Sequence, residues 1–129
     1  ILLFSNKSIV LSWDNKGSFL HVTWKGYAND QGYLDILAKQ LELTKERKAS
    51  KILYDLRNMG VVSQANQAYT NEKYFPSMSD AGNKKAAIIV PENIFGEVSV
   101  SAIMGKRNSE LFEAEIFGEL DTAREWLVS

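Results

Sequence analysis

Cysteine is absent from this chain of 129 residues, histidine occurs once and proline twice. Without cysteine there is no disulfide, no thiolate nucleophile and no sulfur-ligated metal, and the chain suits a reducing compartment, so a cytoplasmic location is expected. The one histidine, His21, has no second histidine to help it complete a metal site or a catalytic triad. It reads as a structural residue within a strand, and no metal site is expected. An excess of one charge is also missing, because fifteen Lys and Arg against sixteen Asp and Glu leave a net charge of −1. No global field would draw in nucleic acid or anionic lipid. The single basic cluster, Lys45, Arg47, Lys48 and Lys51, falls where a helix ends, a place the helix dipole favours for cations. No stretch approaches the ~20 apolar residues of a membrane span, and the opening ILLFSNKSIVLSW lacks a basic start followed by a sustained apolar run. Neither a membrane span nor a targeting segment is expected. A Gly-x-Ser-x-Gly elbow, a Gly-rich phosphate loop and a dinucleotide fingerprint are missing, so the usual signatures of acyl, phosphoryl and hydride transfer are gone. No catalytic residue and no cofactor is assigned.

What is present is the composition of a folded domain. Apolar residues make up 45% and charged residues 24%, the average for a globular protein, and a chain of this size buries roughly two-thirds of its unfolded surface. One domain spanning residues 1–129 is expected. Ile9 to Asp14 alternates as a strand into the turn Asn15-Lys16-Gly17, and Phe19 to Trp24 answers it as a hairpin with Leu20, Val22 and Trp24 on one face. Asn29 or Asp30 caps a helix in which Tyr33, Leu34, Leu37, Ala38 and Leu41 recur at helical spacing. Ile52 to Leu56 and Ala86 to Val90 are short apolar runs of the kind buried on both faces of a parallel sheet. Between them Ser63 caps a helix with Ala65, Ala68, Tyr69 and Phe75 inward, which Pro76 must kink or restart. Asn93 caps a third helix with Phe95, Val98, Ala102 and Ile103 inward. Phe112, Ala114 and Ile116 then form a half-exposed edge strand, and Leu120 to Leu127 a closing helix. The expected fold is a single-domain α/β sandwich, with a mixed, mostly parallel sheet of about five strands flanked by about four helices. Strand order and oligomeric state stay open, although Glu113 and Glu115 discourage pairing along the last strand.

The segments Trp24-Lys25-Gly26, Asp55-Leu56-Arg57-Asn58, Tyr74-Phe75-Pro76 and Ala87-Ile88-Ile89-Val90-Pro91-Glu92, with the ending Phe117 to Leu127, resemble the STAS-like (SpoIIAA-like) domains. These are related in fold to the sporulation anti-sigma-factor antagonists, and the likeness is to small stand-alone bacterial members of unknown function. It runs from Ile9 to Leu127. The resemblance implies a central sheet flanked by helices and a non-enzymatic regulatory or protein-interaction role. Among the antagonists a partner kinase phosphorylates a serine or threonine at the start of the helix after the third strand. Ser63, in Val61-Val62-Ser63-Gln64, stands in that place. The resemblance therefore implies a phosphorylation or partner surface of Ser63, Gln64, Asn66 and Gln67, whereas the residues alone make Ser63 a helix N-cap.

Two other functions follow from residue placement. Open α/β sheets place ligands at the carboxyl ends of parallel strands, and Trp24, Asp55, Arg57, Asn58, Glu92 and Asn93 all fall there. With Tyr69 and Phe75, and with Tyr54 and Tyr74 nearby, Trp24, Asp55, Arg57 and Asn58 are placed to line a pocket for a small apolar ligand or lipid between the second helix and the sheet. The bland alternative is that the aromatics are core, that Asp55 and Asn58 bond the following loop, and that Asn93 caps its helix. A hydrolase using Asp55 and Glu92 ranks last, since no nucleophile or cofactor motif supports it.

Overall fold

A computed structural model describes all residues, 1–129, and contains one six-stranded sheet. Strands β1 (Leu2–Ser5), β2 (Ile9–Asp14) and β3 (Phe19–Trp24) pair antiparallel with one another in that order. Strands β4 (Lys51–Asp55), β5 (Lys85–Ile89) and β6 (Glu113–Phe117) continue the sheet parallel to β3, in sequence order. The mixed, mostly parallel sheet is as expected, with one strand added to the expected five or so by β1, which is short, half-exposed and carries no clean alternation.

Strand order explains the layers. Because the sheet grows in one direction from β3 to β6, right-handed crossovers must put every connecting helix on the same face. Those helices are α1 (Asp30–Arg47), α2 (Gln64–Tyr69), α3 (Phe75–Asp80) and α4 (Ile94–Lys106). Between them and the sheet lies the main core, which includes Leu11, Leu20, Val22, Ile52, Tyr74 and Ile88. The final helix α5 (Leu120–Val128) covers the opposite face, where Phe19, Leu53, Ala87 and Ile89 meet Ala123 and Leu127. These strand residues alternate with the main-core ones, as the period of two requires.

The second crossover departs most from its expected form. A π-helical turn, Thr70–Tyr74, joins α2 to α3 and ends just before Pro76, so the break anticipated at the proline is made by a wider turn that precedes it. The helix count of about four holds if this broken helix is counted once. The expected inward residues Ala65, Ala68 and Tyr69 instead face solvent. The buried row is Asn66, Thr70, Tyr74 and Met78, spaced four apart, which suits the wider π turn and carries two polar residues at its start. In α1 the buried face likewise includes Gln40 and Thr44, while Ala38 is exposed.

Candidate functional site

The carboxyl ends of β3, β4 and β5 converge on a single loop, Leu56 to Ser63, which is fastened to the start of α4. Asn93 caps α4 by accepting from the Gly96 N–H at 2.7 Å, and its Nδ2 donates to the Met59 carbonyl at 2.7 Å. Ser99 Oγ accepts from the Val62 N–H at 2.9 Å, and the Glu92 N–H donates to the Arg57 carbonyl at 3.0 Å. The approach is so close that a Cβ on Gly96 would lie 2.3 Å from the Met59 oxygen. Only glycine fits there. On the other side, Gly60 packs over Tyr27, and a Cβ on it would sit 3.6 Å from the Tyr27 Cβ.

This docking rotates α4 from its expected orientation, although Ile103 is buried as expected and Ala102 half-buried. Gly96 and Ser99 occupy the buried side with Val100 and Ile103, so Phe95 and Val98, expected in the core, are 70% and 61% exposed. Ile94 is exposed beside them. The loop strings Val61, itself 53% exposed, between Tyr27 and α4. Five apolar side chains, Tyr27, Val61, Ile94, Phe95 and Val98, thus stand in water around one end of the sheet. Exposed apolar residues clustered at one end mark interaction sites more often than scattered ones do. Sequence reasoning missed this face because Phe95 and Val98 carry the stronger hydrophobic signal. The residues that could have revealed it are Gly96 and Ser99, small groups one turn apart on the side that must approach a backbone.

Ser63 adjoins this face and caps α2, with its Oγ accepting from the Asn66 N–H at 3.2 Å. Gln64 is exposed, and Gln67 bonds the Val62 carbonyl at 2.8 Å. Asn66 does not belong to a surface. It is buried, and its Nδ2 donates to the Asp30 carbonyl at 3.1 Å, tying α2 to the start of α1.

The residues expected to line a pocket are dispersed. Trp24 is buried and stacked on Tyr33 with centroids 5.8 Å apart, Asn58 is exposed, and Tyr69 is 42% exposed on the outer side of its helix. Asp55 is buried and held by Arg57, whose Nε and Nη2 donate to the two carboxylate oxygens at 2.9 and 2.7 Å. Burial pushes the Asp55 carboxyl up, but the Arg57 bonds outweigh it and keep the group below its ordinary value. Glu92 is exposed. Of the six, Phe75 does line an apolar cavity, together with Tyr33, Tyr54, Thr70, Tyr74 and Ile103 among others. Its volume is about 50 Å³, far below the ~300–1,000 Å³ of ligand pockets.

The polar atoms near that cavity are already paired. Thr70 Oγ1 donates to the Asn66 carbonyl at 2.7 Å, so the Tyr33 hydroxyl must donate to Thr70, also at 2.7 Å. Tyr74 donates to Gln40 Oε1 at 2.5 Å and therefore accepts from Tyr54 at 2.8 Å. Burial pushes the Tyr33 hydroxyl up to about 12 and raises Tyr54 and Tyr74 as well, so all three act as neutral bridges. His21 sits on the opposite face of the sheet, away from the α4 end. Burial lowers its pKa, and its Nε2 has no hydrogen-bond partner.

The six-stranded order, with its crossover helices on one face and α5 on the other, is shared with a solved structure. A crystal structure of an uncharacterised protein of the DUF3478 family with a SpoIIAA-like fold, from Shewanella loihica PV-4, is similar over 97% of this chain and 98% of that one, with a TM-score of 0.62 and 18% identity. The fold is SpoIIAA-like. No family model matches the sequence, and no curated protein matches it either. No helix is long and apolar enough to cross a membrane.

Proposed function

We propose that this SpoIIAA-like domain is a non-enzymatic interaction module that docks a partner protein on the face formed by Tyr27, Val61, Ile94, Phe95 and Val98. The observation that carries this reading is the orientation of α4, which buries Gly96 and Ser99 and leaves Phe95 and Val98 in water. Aromatic side chains, Phe and Tyr among them, are enriched at protein interfaces. A helix lying on a membrane would be rich in Lys and Arg on its polar face. Here Glu92 and Glu97 flank the apolar residues, and α4 has no basic residue before Lys106, which favours a protein over an anionic bilayer. Asp55, locked on Arg57, and Glu92, out in solvent, give little support to an acid–base pair.

Ser63 is the point at which a modification would act on this face. A phosphate there would displace the cap to Asn66 and set about −1.5 to −2 charges beside Val61. The small-ligand alternative has the Phe75 side of the apolar cavity in its favour and the cavity's size against it. The test is recovery of the wild-type chain and a Phe95→Ser/Val98→Ser double variant from source cells, with bound proteins measured by mass spectrometry. A partner present on the wild type and lost from the folded variant is expected. Equal retention by both would refute the reading.

A further inference from the structure

A groove of about 600 Å³ runs along the molecule between α2 with its π turn on one side and α4 on the other. Two alanines, Ala68 and Ala102, leave the space between the helices unfilled. The walls carry carboxamides, Gln64, Gln67 and Asn71 on one side and Asn108 at the far end. Carboxamides offer the same donor and acceptor pair as a peptide group. Two of them are pinned by their nitrogens. Gln67 Nε2 donates to the Val62 carbonyl at 2.8 Å, and Asn71 Nδ2 to the Ile103 carbonyl at 3.0 Å. The Asn71 oxygen is left enclosed with no partner. Asn71 lies in the π turn, a distortion frequent at functional sites.

The groove is aligned with the apolar face. Ala102 and Lys106 form the α4 wall of the groove, and Phe95 shares their side of the helix at spacings of seven and eleven residues, so the line from Lys106 through the groove leads on to Phe95. That span is about 16 Å along the helix, the length of about five residues of extended chain. Lys106 and Glu72 are the charged groups on its walls, which suits neither a phosphate backbone nor a strongly charged segment.

Resting on the docking reading above, we infer that the partner is bound through an extended, largely neutral peptide segment laid in this groove, with main-chain N–H groups donating to the accessible oxygens of Gln64 and Gln67 and one large apolar side chain set against Phe95 and Val98. The test is selection of phage-displayed random heptapeptides on the immobilised protein, followed by fluorescence anisotropy with the enriched peptides made synthetically. Enriched sequences are expected to share one large apolar position. Their affinity should fall at least tenfold against Ala68→Trp, which fills the groove from an exposed position, and at least tenfold when one central peptide nitrogen is methylated. Circular dichroism confirms that the variant is folded. No enrichment over an unrelated protein would overturn the groove. Peptides weakened by Phe95→Ser but bound equally by Ala68→Trp would overturn it too, while leaving the docking face intact.

Discussion

The close approach of Gly96 to the loop before α2 makes Gly96→Ala a severe change at a position where helix propensity alone predicts a gain. The new Cβ would sit 2.3 Å from the Met59 carbonyl oxygen and 3.0 Å from the Pro91 Cβ. A carbon–oxygen contact needs about 3.3 Å, so the loop and α4 must part by about 1 Å. Such overpacking costs about 1–3 kcal/mol. Parting also loosens the Asn93–Met59 and Ser99–Val62 bonds, at about 1 kcal/mol each. Replacing glycine in a helix returns up to about 1 kcal/mol, leaving a net loss of about 2–4 kcal/mol. With a urea slope near 2 kcal/mol per molar, the unfolding midpoint should fall by about 1–2 M. Gly105→Ala is the matched control, because nothing lies within 4 Å of its Cβ position on the same helix. That variant should be as stable as the wild type or more so. If Gly96→Ala behaves like Gly105→Ala, the fastening of α4 to the loop is wrong, and with it the reason Phe95 and Val98 face outward.

Three other outcomes follow from the same geometry. Tyr74→Phe strips Gln40 of its donor and Tyr54 of its acceptor and should cost about 2–4 kcal/mol, whereas Tyr54→Phe leaves the Tyr74–Gln40 bond in place and should cost about 1 kcal/mol, both read by urea unfolding. Burial lowers the pKa of His21 below 6.5, against the pull of Asp55 and Asp14 and aided by Arg124 and Arg57. The unfolded chain then binds more protons below that pH, so stability should drop as pH falls through 6.5 and level off below the folded pKa. His21→Leu should flatten that part of a pH-stability profile, and an unchanged slope would contradict the assignment. Phe95→Ser with Val98→Ser should shift stability by no more than about 1 kcal/mol in the same urea assay, since both side chains are in water.

The sheet was largely legible because its strands carry their own signals. Ile52 to Leu56 and Ala86 to Val90 are apolar without interruption, and the hairpin turn at Asn15-Lys16-Gly17 sets the register of β2 on β3. The caps were legible too, since Asn29, Ser63 and Asn93 each accept from the N–H three residues on. The faces of α2 and α4 were not. Asn66 and Thr70 are buried because the Asp30 carbonyl and the Tyr33 hydroxyl meet them, partners that lie 36 and 37 residues away in the chain. Phe95 points outward because a backbone oxygen from the preceding crossover takes the space behind α4. Both are long-range facts that hydrophobic periodicity does not carry. The expected pocket was misplaced for a related reason: Trp24 and Tyr69 were grouped by strand ends and helix phase, and the π turn shifts that phase.

The docking face rests on side chains that each expose more than half of their surface to solvent, and site-specific photocrosslinking in source cells addresses it directly. A benzoylphenylalanine introduced at Phe95 replaces one exposed aromatic with another, and the same group at Glu42, exposed on α1, serves as the control. The account predicts one discrete protein adduct from position 95 that is absent from position 42 and lost when Val98→Ser is added. The same adducts from both positions, or none from position 95, would contradict it.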